Sequence, residues 1–266
     1  MGYQIHERTG TPVRLSKKNE LRLSVVVPVY RAEHLMGPVL SSISDYLKAM
    51  PWRSEVIVVD DGSPDDTARA AARRTRTVRN LRVLRHKKSR GLGAAARTGV
   101  RVSCGKHVVI CDADPTLSMR LLGEIERGLD EGADAVFATR ERDGGLGDTA
   151  FRALARWMVP EELSNVPSGL RGFRMSVAKQ LADRSLIDGA TWDLEWVTLA
   201  RSYGCHVREL PAFVAVGPGP RLQSRSVREL WSIRKNFGND RYRMPRADRG
   251  SLEDTTFVRN EFAAGR

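Results

Sequence analysis

Two pairs of carboxylates follow apolar segments of the kind that forms buried strands. Asp60 and Asp61 end the second such segment, and Asp112 and Asp114 end the third. The adjacent pair can accept hydrogen bonds from a nucleobase or a ribose, and capping of the next helix is its alternative role. The alternating pair suits Mg²⁺ or Mn²⁺, because these hard cations take oxygen ligands and leave positions open for phosphates. A solvated loop is the alternative for that second pair.

The first apolar segment ends in Pro28 and Tyr30. Proline has no backbone donor and stops a strand ladder, while the flat ring of Tyr30 suits stacking against a base. A strand end with a core tyrosine explains the same two residues. Their place beside the other two strand ends favours nucleotide binding, since ligands of α/β sheets lie at the carboxyl ends of strands.

A glycine-rich segment contains the spacing GxGxxA, with Gly91, Gly93 and Ala96 as its fixed positions. Asp112 lies about twenty residues further on, as in a dinucleotide-binding fingerprint. That fingerprint should follow a strand directly, whereas the polar segment 86–90 intervenes here. The glycines can instead permit close approach of a phosphate, or close packing. An NAD-binding oxidoreductase is therefore a remote alternative.

Strands and helices must alternate along the chain to bring these residues to one edge of a sheet. The apolar patterns predict strands over 23–29, 56–59, 81–84, 108–111, 135–139 and, interrupted by Pro211, 207–216. The helical patterns predict helices over 38–49, 65–79, 94–102, 121–129, 176–185 and 194–203. This alternation predicts an α/β fold with a mostly parallel central sheet and helices on both faces. An N-terminal extension over 1–20 and a polar tail over 241–266 flank the single domain.

The charge of the chain favours anionic partners. Its 266 residues carry 44 Lys and Arg against 32 Asp and Glu, a formal net charge of +12. Thirteen of the basic residues and no acid lie between Thr67 and Lys106. Phosphates, nucleotide sugars, acidic lipid headgroups and nucleic acids all meet this requirement. Nucleic acid is the remote alternative, because aromatic residues do not alternate with the arginines and no helix-turn-helix or zinc-finger spacing occurs.

Cysteine content and hydropathy indicate the compartment. Three cysteines without a CxxC motif argue for a reducing environment. No apolar run approaches the roughly 20 residues that span a bilayer. We expect a cytoplasmic protein whose association with an anionic membrane, if it occurs, is peripheral and on the inner face.

The ordered set of segments resembles family 2 glycosyltransferases of the GT-A fold, above all the dolichyl- or polyprenyl-phosphate mannose and glucose synthases. The segments are LSVVVPVYRAE (23–33), EVIVVDDGSPDDT (55–67), SRGLGAAARTGV (89–100), VVICDADPTLSM (108–119), FATR (137–140), SGLRGFR (168–174) and WDLEW (192–196). Each segment alone is weak evidence, whereas their order and spacing are specific. The resemblance implies one Rossmann-like GT-A domain over 21–240.

The resemblance also implies roles for individual residues. The nucleoside would be held by Pro28, Tyr30, Glu33, Asp60, Asp61 and Gly91, with Asp112 beside the diphosphate. Asp112 and Asp114 would hold Mg²⁺ or Mn²⁺. The catalytic set would be Arg140 on a phosphate, Asp193 or Glu195 on the sugar or acceptor side, and Arg221 as a phosphate clamp. Thr116 departs from the family, because a glutamine or similar residue often supports the metal there.

The implied reaction is inverting, metal-dependent transfer of a hexose. The donor would be a nucleotide diphosphate sugar of the GDP-mannose or UDP-glucose type, and the acceptor a polyprenyl phosphate at the cytoplasmic membrane face. A soluble acceptor hydroxyl is the main alternative, and Asp193 is the candidate general base for it. A binding protein that retains the nucleotide pocket without catalysis is a third possibility.

Overall fold

The computed structural model describes residues 21–140, 167–212 and 224–242. Within these residues a seven-stranded sheet has the order β3-β2-β1-β4-β6-β5-β7. The strands are β1 Leu21–Val29, β2 Arg53–Asp60, β3 Leu81–Arg85, β4 His107–Cys111, β5 Ala135–Arg140, β6 Pro167–Arg174 and β7 Val207–Ala212. Every strand runs in one direction except β6, which is antiparallel to both of its neighbours. The predicted mostly parallel α/β sheet is confirmed.

Helices cover both faces of the sheet. They are α1 Glu33–Lys48, α2 Thr67–Ala72, α3 Leu92–Val102, α4 Met119–Asp130, α5 Met175–Arg184, α6 Trp192–Ser202 and α7 Ser224–Gly238. Alternate residues of β1 enter different cores: Val25 and Val27 pack in the cluster with α1 and α4, and Val26 packs in the cluster with α3, α5 and α6. Both faces of the strand are thus buried, which explains its continuous apolar sequence.

Two predicted helices differ in their bounds. The helix predicted over 65–79 is α2 followed by a 3₁₀ turn over Arg73–Arg76. None of those four residues is buried, so a longer α-helix in this arginine-rich segment would not be stabilised by packing. Helix α1 begins at Glu33, and Pro38 lies in its second turn instead of at its start. Burial of the apolar face that begins at Met36 stabilises the helix by more than it loses through the one backbone hydrogen bond that Pro38 cannot donate.

Two elements escaped the sequence analysis. Strand β6 contains two glycines and two arginines, which hide the apolar alternation of a strand. Helix α7 lies in a strongly basic segment, but Leu230 and Ile233 are buried. Tyr242, at the start of the predicted polar tail, is also buried and packs against Phe237 with ring centres 4.7 Å apart. No helix among the described residues is both long and apolar enough to cross a membrane.

Candidate active site

Four strand ends meet at one edge of the sheet. The parallel neighbours β1, β2 and β4 end there, and the antiparallel β6 begins there. In the β4–β6 register Leu170 lies opposite Cys111, and Arg171 lies opposite Ile110. Arg171, on the antiparallel strand β6, therefore lies beside the carboxylates predicted at this edge.

Asp61 holds the loop that follows β3 in place through hydrogen bonds. Its buried carboxylate accepts hydrogen bonds from His86 Nδ1 at 2.7 Å, Ser89 Oγ at 2.8 Å, and the backbone N–H groups of Arg90 at 3.0 Å and Gly91 at 2.7 Å. Burial by itself raises the pKa of Asp61, but these donors outweigh it and hold the pKa below its ordinary value. The carboxylate is a charged internal anchor for the loop.

Asp60 organises the turn after β2. Its Oδ1 accepts hydrogen bonds from the backbone N–H of Ser63 at 3.0 Å and from the Ser63 hydroxyl. Its Oδ2 lies 3.2 Å from Arg85 Nε. The side chain is wholly buried. The hydrogen bonds of Asp60 therefore lie within the turn, which agrees with its alternative role of local capping.

The end of β1 presents an aromatic ring to solvent. Tyr30 is 39% exposed, and the Arg31 guanidinium lies 5.4 Å from its ring centre. Arg31 has a φ of 53°, in the left-handed region that non-glycine residues seldom adopt. Glu33 accepts a hydrogen bond from the backbone N–H of Asp66 at 3.3 Å, and Pro28 is buried within β1. Among these predicted residues Tyr30 is the one best placed to contact a ligand.

Arg171 joins two of the predicted site carboxylates. Its Nη1 donates to Asp112 Oδ1 at 2.5 Å, and its Nη2 donates to Asp193 Oδ2 at 2.7 Å. The guanidinium also lies 5.2 Å from the ring centre of Trp192. Burial lowers the pKa of Arg171, but the two carboxylates outweigh it and raise the pKa, so the guanidinium stays charged. Arg171 lies within the segment SGLRGFR, and no role was predicted for it from the sequence.

Asp112 and Asp193 differ in their access to solvent. The side chain of Asp112 is 44% exposed and also accepts a hydrogen bond from the backbone N–H of Gly169 at 3.2 Å. Asp193 is buried, and its Oδ1 accepts from the backbone N–H of Leu194 at 2.8 Å. Burial raises the pKa of Asp193 against the lowering influence of Arg171. Asp112 thus faces the opening of the site, and Asp193 lies behind it.

Asp114 completes the predicted metal pair. Its Oδ1 accepts hydrogen bonds from the Thr116 backbone N–H at 2.8 Å and the Thr116 hydroxyl at 2.7 Å. No group of three or more acidic, histidine or cysteine side chains in the described ranges is arranged to hold a metal ion. Two carboxylates still fit a divalent cation of the magnesium type, which commonly takes one or two carboxylates and completes its shell with phosphates and water. Thr116 holds Asp114 in place.

Glu195 has a different environment from Asp193 on the same helix. It is fully buried and accepts hydrogen bonds from the backbone N–H groups of Leu186 at 2.8 Å and Ile187 at 3.2 Å. It also accepts from the Tyr242 hydroxyl at 2.5 Å and from the Ser185 hydroxyl. The structure does not bring Glu195 to Arg171. Residues two apart on a helix point in nearly opposite directions, and α6 uses both sides.

The glycine-rich segment serves close packing. The backbone N–H of Gly93, at the start of α3, donates to the carbonyl of Asp188 at 2.9 Å. A side chain at Gly91, whose φ is 118°, would collide with the same carbonyl. Arg97 then donates to the carbonyl of Ile187 at 2.7 Å. Because a protein carbonyl occupies the amino end of α3, the dinucleotide-fingerprint alternative loses the anion site on which it depends.

Two arginines of the predicted site lie partly or wholly outside the described residues. Arg140 is the last residue of β5 and pairs with Ala212 at the carboxyl edge of the sheet. Its side chain and the whole of Arg221 fall outside the described residues.

A mostly parallel sheet with acidic residues at the carboxyl ends of its strands is typical of α/β folds that bind nucleotides. The sequence model of glycosyl transferase family 2 matches residues 24–184, more than half of the chain. The chain belongs to this family, and its predicted membership and enzyme class are confirmed.

Individual proteins resemble the chain in part of its sequence or in its fold. Dolichyl-phosphate beta-glucosyltransferase of Homo sapiens is 34% identical over 117 residues, which are 41% of this chain and 36% of that enzyme. Mannosyl-3-phosphoglycerate synthase of Rubrobacter xylanophilus superposes with a TM-score of 0.66 at 19% identity, over 85% of this chain and 77% of that one. Glucosyl-3-phosphoglycerate synthase of Mycobacterium tuberculosis, with Mn²⁺, uridine diphosphate and phosphoglyceric acid, gives 0.63 at 22% identity over 86% and 81%.

Proposed function

We propose that the chain is an inverting, metal-dependent glycosyltransferase that moves a hexose from a nucleotide diphosphate sugar to a polyprenyl phosphate at a membrane surface. The observation that carries the proposal is buried Arg171, which joins Asp112 to Asp193 close to the Asp114 loop. The similarity to the human dolichyl-phosphate beta-glucosyltransferase supports the lipid acceptor. The likeness to a fold bound to Mn²⁺ and uridine diphosphate supports the donor class and the metal.

Asp112 and Asp114 are the residues that would hold the divalent cation. When bound, that cation supplies positive charge against the diphosphate leaving group. Thr116 keeps the Asp114 carboxylate oriented through two hydrogen bonds. Arg140, the last residue of β5, and Arg221 are proposed to contact phosphate groups.

The nucleoside would lie across the ends of β1 and β2. Tyr30 provides the exposed ring for stacking, and Glu33 lies at the start of the neighbouring helix. Asp61 contributes indirectly, because its carboxylate is occupied by the loop that ends at Gly91. Asp60 likewise holds the turn after β2. These two aspartates position backbone that borders the nucleotide.

The acceptor decides the role of Asp193. A phosphate monoester with a second pKa of about 6 is largely anionic at pH 7 and needs orientation more than a base. Asp193 then acts as a positioning residue, because it holds Arg171 against Asp112. A soluble hydroxyl acceptor is the second candidate, supported by the likeness to a fold bound to phosphoglyceric acid, and Asp193 is then the proposed general base.

The test is release of nucleoside diphosphate from GDP-mannose, UDP-glucose and UDP-N-acetylglucosamine. Each donor is incubated with and without a polyprenyl phosphate, and with Mn²⁺ or EDTA. The proposal expects release from one donor that requires both lipid and metal. Asp114→Asn should abolish this release while nucleotide binding is only weakened.

Other outcomes separate the alternatives. Metal-dependent hydrolysis that ignores the lipid would retain the transferase and favour a soluble acceptor. Nucleotide binding without turnover of any donor would favour a binding protein. Neither binding nor turnover would overturn the proposal.

A further inference from the structure

Helix α7 presents two chemically different faces. Leu230 and Ile233 are fully buried against the core, whereas Trp231 is 55% exposed. No other large hydrophobic side chain among the described residues is exposed to this extent. Lys235, one turn later, places its Nζ 5.3 Å from the Trp231 ring centre.

Cations surround the exposed tryptophan. Arg228 precedes Trp231 by three residues and Lys235 follows it by four, so the three side chains lie on one helix face. Arg234 is exposed at the flank of this face. The acidic residue Glu229 lies to the other side, where its carboxylate accepts hydrogen bonds from Thr191. We call Arg228, Trp231 and Lys235 the outer face of α7.

The inner side of α7 is joined to the site. Glu229 Oε2 accepts hydrogen bonds from the backbone N–H of Thr191 at 3.2 Å and its hydroxyl at 2.9 Å. Thr191 immediately precedes α6, which carries Asp193 in its first turn. A surface that binds the outer face of α7 therefore lies one helix away from the Asp112–Arg171–Asp193 assembly.

We propose that the outer face of α7 docks the protein onto an anionic lipid bilayer, with Trp231 at the level of the headgroups. Tryptophan favours the membrane interface because its ring is apolar and its N–H is polar. Lysine and arginine add attraction to anionic lipids. A single exposed ring is too small an apolar centre for a stable protein interface, which buries a cluster of anchors. The proposal deepens the proposed function and rests on it for the lipid-borne acceptor.

The test is flotation of the full chain with two kinds of vesicles, pure phosphatidylcholine and phosphatidylcholine with 30% phosphatidylserine, a probe composition of about physiological charge. Binding should require the anionic lipid and weaken with salt. Trp231→Ala and the pair Arg228→Gln with Lys235→Gln should each weaken binding about tenfold. Leu35→Ala and the pair Arg120→Gln with Arg127→Gln are matched controls on exposed positions of α1 and α4, and they should change binding less than about twofold.

Turnover separates this inference from the proposed function. With a short-chain polyprenyl phosphate that is soluble in water, Trp231→Ala should keep wild-type activity, and with vesicle-borne acceptor it should lose about tenfold, in proportion to binding. Loss of all donor turnover in the wild type would refute the proposed function and leave the vesicle test intact. Equal weakening by the controls, absence of vesicle binding, or binding of an RNA oligonucleotide in place of vesicles would each overturn the docking proposal.

Discussion

Two parts of the same sheet edge use aspartate in opposite ways. At the ends of β1 and β2, Asp61 is 1% exposed and accepts hydrogen bonds from four residues of one loop. At the junction of β4 and β6, the side chain of Asp112 is 44% exposed and shares Arg171 with Asp193. The first carboxylate is enclosed by donors of the protein, and the second is open to solvent.

A carboxylate at a strand end is therefore not by itself a ligand. A carboxylate whose lone pairs all receive protein donors stabilises the fold. A carboxylate such as Asp112, held by one arginine and one backbone N–H and otherwise open to solvent, can exchange partners when a cation arrives. The variants below test this division between the Asp61 region and the Asp112 region.

Arg171 is expected to give the largest effect. Arg171→Gln leaves Asp112 and Asp193 without their shared cation, and removal of one partner from a buried pair costs about 3–5 kcal/mol. Urea denaturation measures the loss in the free energy of unfolding. Arg171→Lys should recover part of it, since a lysine cannot bond both carboxylates in the same geometry. An Arg171→Gln variant as stable as the wild type would show that Arg171 does not stabilise the Asp112 region.

Asp114→Asn is expected to lower kcat about 100-fold or more, because transition-state charge on the leaving diphosphate loses a metal ligand. Steady-state kinetics at saturating donor and Mn²⁺ measure the change. The side chain is only partly buried, so the melting temperature should remain close to that of the wild type. Retained kcat would exclude Asp114 from the metal site.

Asp61→Asn should cost about 2 kcal/mol of stability, because an amide NH₂ replaces one acceptor that faces the loop donors. The folded-state pKa of Asp61 lies below the ordinary value of 3.8, so its stabilisation is present above that pH and is lost as pH falls through the folded-state pKa. Urea titrations at pH 7 and pH 3 should therefore show a smaller difference between variant and wild type at pH 3. An equal difference at both pH values would contradict the charged-anchor role.

Glu195→Gln should have the smallest effect, about 1 kcal/mol, because the amide can donate to the Ser185 hydroxyl while its oxygen still accepts from the Leu186 N–H and the Tyr242 hydroxyl. Its kcat should match the wild type when both proteins are assayed well below their melting temperatures. A large loss of kcat without loss of stability would restore Glu195 to the catalytic set.

Much of the fold was predictable from local sequence. The apolar, β-branched runs of β1, β2 and β4 stand out because both of their faces are buried. Strand β6 did not, since Gly169, Gly172 and two arginines interrupt its pattern, although Arg171 supplies the central charge of the site. Nothing in the local sequence indicates that an isolated arginine in a glycine-rich segment is buried between two carboxylates.

The family, the α/β class and the strand ends where acidic residues gather could all be predicted from the sequence, because those features are local patterns of hydropathy and spacing. The sequence could not distinguish Asp61 from Asp112, or Asp193 from Glu195. Each member of those pairs has the same local chemistry, and only the donors that approach from distant parts of the chain set its role. Loop 86–91, strand β6 and Tyr242 supply those donors, so the tertiary structure decided which carboxylates hold the fold together and which face the site.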